Sequence, residues 1–457
     1  MYLPNDTIAA LATPAAPAGL GVIRISGEAA VAVADTVFRA ASGRPLSALS
    51  GYRAAFGHVA EGDEVIDECV ALVFRAPHSY TGEDTVEFSC HGGVYLLRRV
   101  LRALYAAGAR PAEAGEFTRR AFLNGKMDLT GAEAVMSLIA ADGRLAAKTA
   151  LAAKDGNLFS SMEAVKASLL ATAAQFSAYV DYPDEDIPEL TAPALSATLA
   201  KAEKTLSALL DTFDAGRVLR EGVDTAIVGC PNVGKSTLMN ALAGCERSIV
   251  TPVAGTTRDI VEETVRLGEV TLRLSDTAGI HDTGDAVEAI GVEKARRRMQ
   301  QAALLLVLFD GARPLSDADR ALIAAVSGET AIAVINKADL PQKIEKERLD
   351  AAFSQVVSLS AATGDGLAAL SDAVETVTGV CRLQADAPIL ATERQRLCAA
   401  TALDAVRAAA TALSTGMTPD AVSVCVDEAI GEILSLTGER TTEAVVNEVF
   451  SRFCVGK

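Results

Sequence analysis

Residues 229–236 read Gly-Cys-Pro-Asn-Val-Gly-Lys-Ser, a GxxxxGK[ST] pattern. Gly229 and Gly234 let the backbone, through Asn232 and Val233, wrap around phosphates and aim N–H groups at them. Lys235 can reach the β and γ oxygens, the Ser236 hydroxyl can ligate Mg²⁺, and Thr237 lies at the start of a helix whose dipole favours an anion. Downstream, Asp276, Thr277, Ala278 and Gly279 can place a carboxylate beside the metal and a glycine N–H near the γ-phosphate. In Asn336-Lys337-Ala338-Asp339 the aspartate can accept hydrogen bonds from N1–H and the 2-amino group of guanine. Adenine lacks both donors and would leave that carboxylate unpaired. Ser360 and Ala361 can offer a backbone N–H to guanine O6. Each motif alone can be a structural turn. Four in order on strand ends predict a guanine-nucleotide site with GTP as substrate.

The hydrolytic apparatus is less regular. Many small GTPases carry a glutamine after DxxG that orients the attacking water. Here that position is Ile280, so water must be aligned by other means. Glu288 is the candidate, beside the plainer reading of a solvated carboxylate at a helix start. Thr257 offers a second hydroxyl to Mg²⁺. Asn232 can help hold a monovalent cation against the phosphates, supplying the charge that an arginine finger supplies elsewhere, and Arg258 is the alternative finger.

Positioning these motifs requires a parallel sheet. Between residues 221 and 379, short apolar runs (TAIVG, VTLRLSD, LLLVLFD, AIAVIN, QVVSLS) alternate with helical segments and predict an inserted α/β P-loop GTPase (G) domain. Residues 1–120 carry β-like runs at 21–26, 68–74 and 84–90 and a helix near 93–107, which predict an α+β domain. Residues 121–220 and 380–457 read as two parts of one Ala-rich helical bundle, interrupted by an acidic Pro-containing stretch at 182–193. At 457 residues a multidomain chain is expected.

Eight scattered cysteines without a CxxC pair suit reduced thiols, and the four histidines form no ligand spacing. The start of the chain lacks the basic and apolar regions of a signal peptide, and no uncharged run matches a bilayer span, so a cytoplasmic location without membrane contact is expected. A net charge of −17 argues against a protein that holds nucleic acid mainly by neutralising phosphates.

The whole length resembles the MnmE (TrmE) family of tRNA-modification GTPases, within the TrmE-Era-EngA-like superfamily. The likeness is carried by DTIAALATP and GVIRISG near the start, SYTGEDTVEFSCHGG at 79–93, AGEFTRRAFLNGKMDLTGAEAV at 114–135 and the terminal FCVGK. It departs from the family at Ala15-Ala16, at Ala114 (usually proline) and at Cys90. The resemblance implies an N-terminal domain that dimerises and binds 5-formyl-tetrahydrofolate or a related one-carbon folate through Arg24, Glu87, Lys126 and Lys457. By charge alone, Arg24 and Lys126 can hold the cofactor's carboxylates and Glu87 its amino donors; ordinary surface charge is the plainer reading. It further implies K⁺ held by Asn232 with Thr251, Val253 and Thr256, nucleotide contacts along Thr251, Pro252, Val253, Ala254, Gly255 and Thr256, and a catalytic role for Glu288. Cys454 matches a near-terminal cysteine that is either a reactive thiol or a packed residue. The implied reaction adds an aminomethyl or carboxymethylaminomethyl group at C5 of the wobble uridine of certain tRNAs. A flavin-containing partner, MnmG (GidA), takes part and would hold most of the tRNA. The competing reading is a GTPase switch in ribosome assembly, which predicts a GXXG loop or aromatic RNP pattern that the sequence lacks.

Overall fold

The computed structural model describes residues 6–181, 192–244, 263–274 and 302–457. The chain divides into two compact units, residues 1–136 with 430–457, and residues 137–429.

The first unit is built on a seven-stranded sheet. Its order is Phe38–Ala40, Arg53–Glu61, Glu64–Phe74, Thr85–Gly92, Ala18–Ser26, Ile8–Leu11 and Arg110–Pro111. Alternation decides which face each side chain joins. Ile23 and Ile25 pair with Phe88 and Val86 and are buried, whereas the intervening Arg24 pairs with Glu87 on the opposite face. The helices Ala30–Val37 and Val94–Ala106 complete that core with Val33, Leu97, Val100 and Leu104.

A second, smaller core joins the end of the chain to this unit. Val446, Phe450 and Phe453 pack with Leu129, Ala132 and Val135. An isolated bridge pairs Val455 with Ala114, and Gly115 donates its N–H to the Cys454 carbonyl at 3.3 Å. Only a glycine fits at 115, because φ is +66° and a Cβ would lie 2.7 Å from the Phe450 carbonyl oxygen. Beneath it, the fully buried Arg120 binds the carboxylates of Asp6, Glu83 and Glu116, and Arg110 shares Asp6 and Glu116. Five charges in this place are tolerable because each is paired.

The second unit holds a six-stranded sheet in the order Val356–Ser358, Ala331–Asn336, Leu304–Asp310, Val223–Gly229, Val270–Leu274 and Glu263–Leu267. All neighbours are parallel except the last pair, which forms a hairpin. The strands Leu304–Asp310 and Ala331–Asn336 are buried almost throughout, which explains their unbroken apolar sequence: helices cover both faces of a parallel sheet. The expected fold class is the observed one, an α+β N-terminal unit, a helical part and an inserted α/β domain of P-loop type. The helical part includes Arg144–Lys154, Asn157–Asp181, Ala192–Asp211, Phe213–Glu221 and Glu393–Ser414. Among the described residues Glu393–Ser414 alone is long and apolar enough to cross a membrane; here it packs along Ala192–Asp211, with Arg407 paired to Glu203.

Candidate functional site

Parallel strands bring their C-terminal ends to one edge of the sheet, and residues 229–236, 336–339 and 360–361 gather there. The strand Val223–Gly229 runs into the glycine-rich loop, and the helix Lys235–Gly244 leaves it. Asn232 and Gly234 both adopt positive φ (59° and 99°), so the backbone turns sharply enough to form a cradle. Nζ of Lys235 lies over that cradle, donating to the carbonyls of Gly229 (2.8 Å) and Cys230 (2.9 Å). These residues fit a polyphosphate: the loop is glycine-lined at the turn and carries an ammonium group at its mouth.

Asn336 joins this cradle to the loop at 360–361. Its Nδ2 donates to the Val233 carbonyl at 2.8 Å, and its Oδ1 accepts from the Ala361 N–H at 2.9 Å. It is 3 % exposed, as is fitting for an amide with protein partners at both ends. A Cβ at Gly234 would sit 2.2 Å from Asn336 Nδ2, so glycine is required there by contact as well as by φ. Ser360 and Ala361 are buried beside it, and Ser360 N–H donates to the Asp365 carbonyl at 2.9 Å. Lys337 takes a positive φ of 65° and pairs with Asp310 at 2.7 Å, while Asp339 stands exposed at the loop. An exposed carboxylate beside a rigid loop can meet a base edge.

Asp310 was not singled out from the sequence, although the signal was present: it ends LLLVLFD, the strand next to AIAVIN. Burial pushes its carboxyl up, but Lys337, the Ala312 N–H and Arg313 outweigh burial and hold it below the usual carboxylate range. It therefore stays ionised and anchors the Lys337 side chain. In the glycine-rich loop, burial followed by the neighbouring Asp319 carboxylate pushes the Cys230 thiol up, so it is poorly suited to act as a nucleophile.

Thr251, Pro252, Val253, Ala254, Gly255, Thr256, Thr257, Asp276, Thr277, Ala278, Gly279 and Glu288 lie outside the described residues, as do Arg258 and Ile280.

In the first unit, three of the four residues expected to bind folate come together. Arg24 Nε donates to Glu87 Oε1 at 2.8 Å, and Arg24 Nη1 to the Gly456 carbonyl at 3.3 Å. The guanidinium lies 5.4 Å from the Tyr80 ring centroid and 5.6 Å from that of Phe117. Burial, then the Arg24 charge, pull the Lys457 ammonium below its ordinary range, and Glu87 partly offsets them. Lys126 stands on a different support, donating to the Pro77 carbonyl at 2.9 Å. Arg24 and Glu87 thus neutralise each other, where sequence reasoning gave them separate partners on a ligand. The Cys454 thiol is exposed on the tail held by the Ala114–Val455 bridge.

Comparison with known proteins covers both regions of the chain. Residues 7–126 match the model for the N-terminus of the GTP-binding protein TrmE, and residues 129–454 match that for the MnmE helical domain. The tRNA modification GTPase MnmE of Lacticaseibacillus paracasei is 41 % identical, over 99 % of this chain and 98 % of that protein. Its namesake from Symbiobacterium thermophilum is also 41 % identical, over 99 % of this chain and all of the relative. The chain belongs to the MnmE (TrmE) family. It is a GTPase that takes part in tRNA modification. GTP is therefore the nucleotide that the protein hydrolyses, and GTPases of this kind work with Mg²⁺ on the phosphates.

Replacing Asn336 by alanine leaves the Val233 carbonyl and the Ala361 N–H without their partner and frees two loops from each other. The expected loss in GTP affinity is about 2 kcal/mol, or roughly thirty-fold. Nucleotide titration by calorimetry reads it; affinity within two-fold of the parent would show that the two loops hold their positions without Asn336.

Proposed function

We propose that the protein uses GTP hydrolysis to organise a tRNA-modifying active site that it shares with a flavoprotein partner, MnmG (GidA). The modification is addition of an aminomethyl or carboxymethylaminomethyl group at C5 of the wobble uridine of certain tRNAs. The observation that carries this reading is the meeting of Arg24, Glu87 and the terminal Lys457 in the first unit, in a chain whose second unit holds a GTP cradle. That cluster supplies a cation pair and a carboxylate, the complement of a folate's carboxylates and amino donors. A one-carbon folate held there, with Lys126, would supply the carbon of the new group, and the partner's flavin the redox chemistry. The acidic charge of −17 supports leaving most tRNA contact to the partner.

Within the G domain, Ser236 and Thr257 are the Mg²⁺ hydroxyls and Asp276 to Gly279 read the γ-phosphate. Glu288 aligns the attacking water in place of the glutamine that Ile280 displaces. Asn232, with Thr251, Val253 and Thr256, holds K⁺, which adds positive charge where the transition state develops negative charge. The positive φ of Asn232 turns this residue out of the regular path of the loop, which suits a ligand role. Pairing of two chains, through the N-terminal domain and between G domains, completes the working form.

In cells lacking this protein, mass analysis of tRNA is expected to find wobble uridines without the C5 group. The parent chain restores them, and neither Glu288→Ala nor Arg24→Ala does. Fully modified wobble uridines in the deletion strain would remove the reading. Hydrolysis by the purified full chain is expected to run at least ten-fold faster in K⁺ than in Na⁺ at equal ionic strength; equal rates in the two salts would exclude the K⁺ site.

A further inference from the structure

The hairpin formed by Glu263–Leu267 and Val270–Leu274 lies in sequence between the segment carrying Thr257 and the one carrying Asp276. It is the edge of the G-domain sheet, joined to it by Leu272 to Leu274 alongside Val223 to Thr225. Val270–Leu274 runs parallel to Val223–Gly229 and toward the same edge, with Leu274 level with Thr225, so the turn at Gly268 and Glu269 sits at the opposite end of the strand, about 16 Å back from Leu274. Through Leu272 to Leu274 the turn is tied to Val223–Gly229, the strand that runs into the glycine-rich loop.

The turn caps a helix of the neighbouring helical part. Arg144–Lys154 begins at Gly143, which has no side chain with which to cap it. Its orphan donor, the Leu145 N–H, is satisfied by Glu269 Oε2 at 2.9 Å. A carboxylate at this position also meets the positive end of the helix dipole. Glu269 is oriented from two sides: its own N–H donates to Glu375 Oε1 at 3.0 Å, and Arg266 lies 3.8 Å from its carboxylate. Gly268, at φ +63°, lets the turn approach Ser371 and Glu375 more closely than any side chain would allow. Apolar contact reinforces the junction, because Ala146 belongs to the same core as Val265, Leu267, Val270 and Leu272. Thr271 adds a hydroxyl donation to Asp142 at 3.4 Å.

We propose that Glu269 is a relay residue: its carboxylate caps the helix Arg144–Lys154 from another domain, and movement of the hairpin with nucleotide state switches that cap. A hairpin at a sheet edge can shift as a unit, whereas a cap is lost when its hydrogen bond lengthens by about an ångström. The start of the helical part thereby reads whether the γ-phosphate is present. The inference rests on the proposed roles of Thr257 and Asp276.

Hydrogen exchange of the full chain, saturated with GDP or with a non-hydrolysable GTP analogue, tests it. Exchange of the Leu145 amide, in the peptide 143–155, is expected to differ between the two states on the order of five-fold. In Glu269→Ala the amide exchanges fast in both states; in Glu269→Gln, whose amide oxygen can still accept, a difference persists. Residues 229–244, followed in the same samples, report nucleotide binding separately. If those residues are protected by both nucleotides while 143–155 does not respond, or if Glu269→Ala keeps the response, the relay is overturned. If neither nucleotide protects 229–244, the nucleotide site itself is wrong and the relay falls with it. A merely structural cap would lose protection in Glu269→Ala but show no nucleotide dependence in the parent chain.

Discussion

A buried primary amide can form several hydrogen bonds, and leaving them unmade in the interior costs far more than making them gains. Asn336 is held under that constraint between the phosphate cradle and the loop at 360–361. Because its two ends bind different loops, the loops cannot move independently without stranding a polar group. Neighbouring positions follow from it. Gly234 must lack a side chain to leave room for the amide, and Lys337 takes a strained positive φ immediately after it, with Asp310 fixing its side chain. The glycine-rich loop and the loop at 360–361 are therefore parts of one rigid assembly.

The sheet beneath explains why that assembly can be rigid. Its central strands are apolar on both faces and lie in register, so their C-terminal ends form a fixed edge on which the short polar loops are mounted. The N-terminal unit solves a different problem. There one face of a mostly antiparallel sheet is packed by helices and the other carries the Arg24–Glu87 pair, and residues near 456 return to that pair. A charge cluster is stable at that place because burial there is partial and the charges are mutual partners.

Much of this was legible in the sequence, and the reason is local. Glycine-rich turns, strand-end aspartates and unbroken apolar runs are each determined by a few consecutive residues, so the G-domain motifs and strand positions could be read directly. What could not be read is pairing over distance. Arg24 and Glu87 are 63 residues apart and meet only because their strands are in register. Arg120 is fully buried because Glu116 on its own helix and Asp6 and Glu83 from distant segments pair with it. Glu269 and its partner, the Leu145 N–H, lie 124 positions apart. Sequence periodicity reports which face a residue occupies, not which residue will oppose it.

We propose that the carboxylate of Asp339 selects guanine while residues 229–236 grip the triphosphate. The most direct test measures GTP and XTP affinities of the parent chain and of Asp339→Asn under one set of conditions. An amide can donate where a carboxylate only accepts, so preference should pass from guanine to xanthine with the triphosphate grip intact. GTP affinity unchanged by the substitution, with no gain for XTP, would contradict the account at its core.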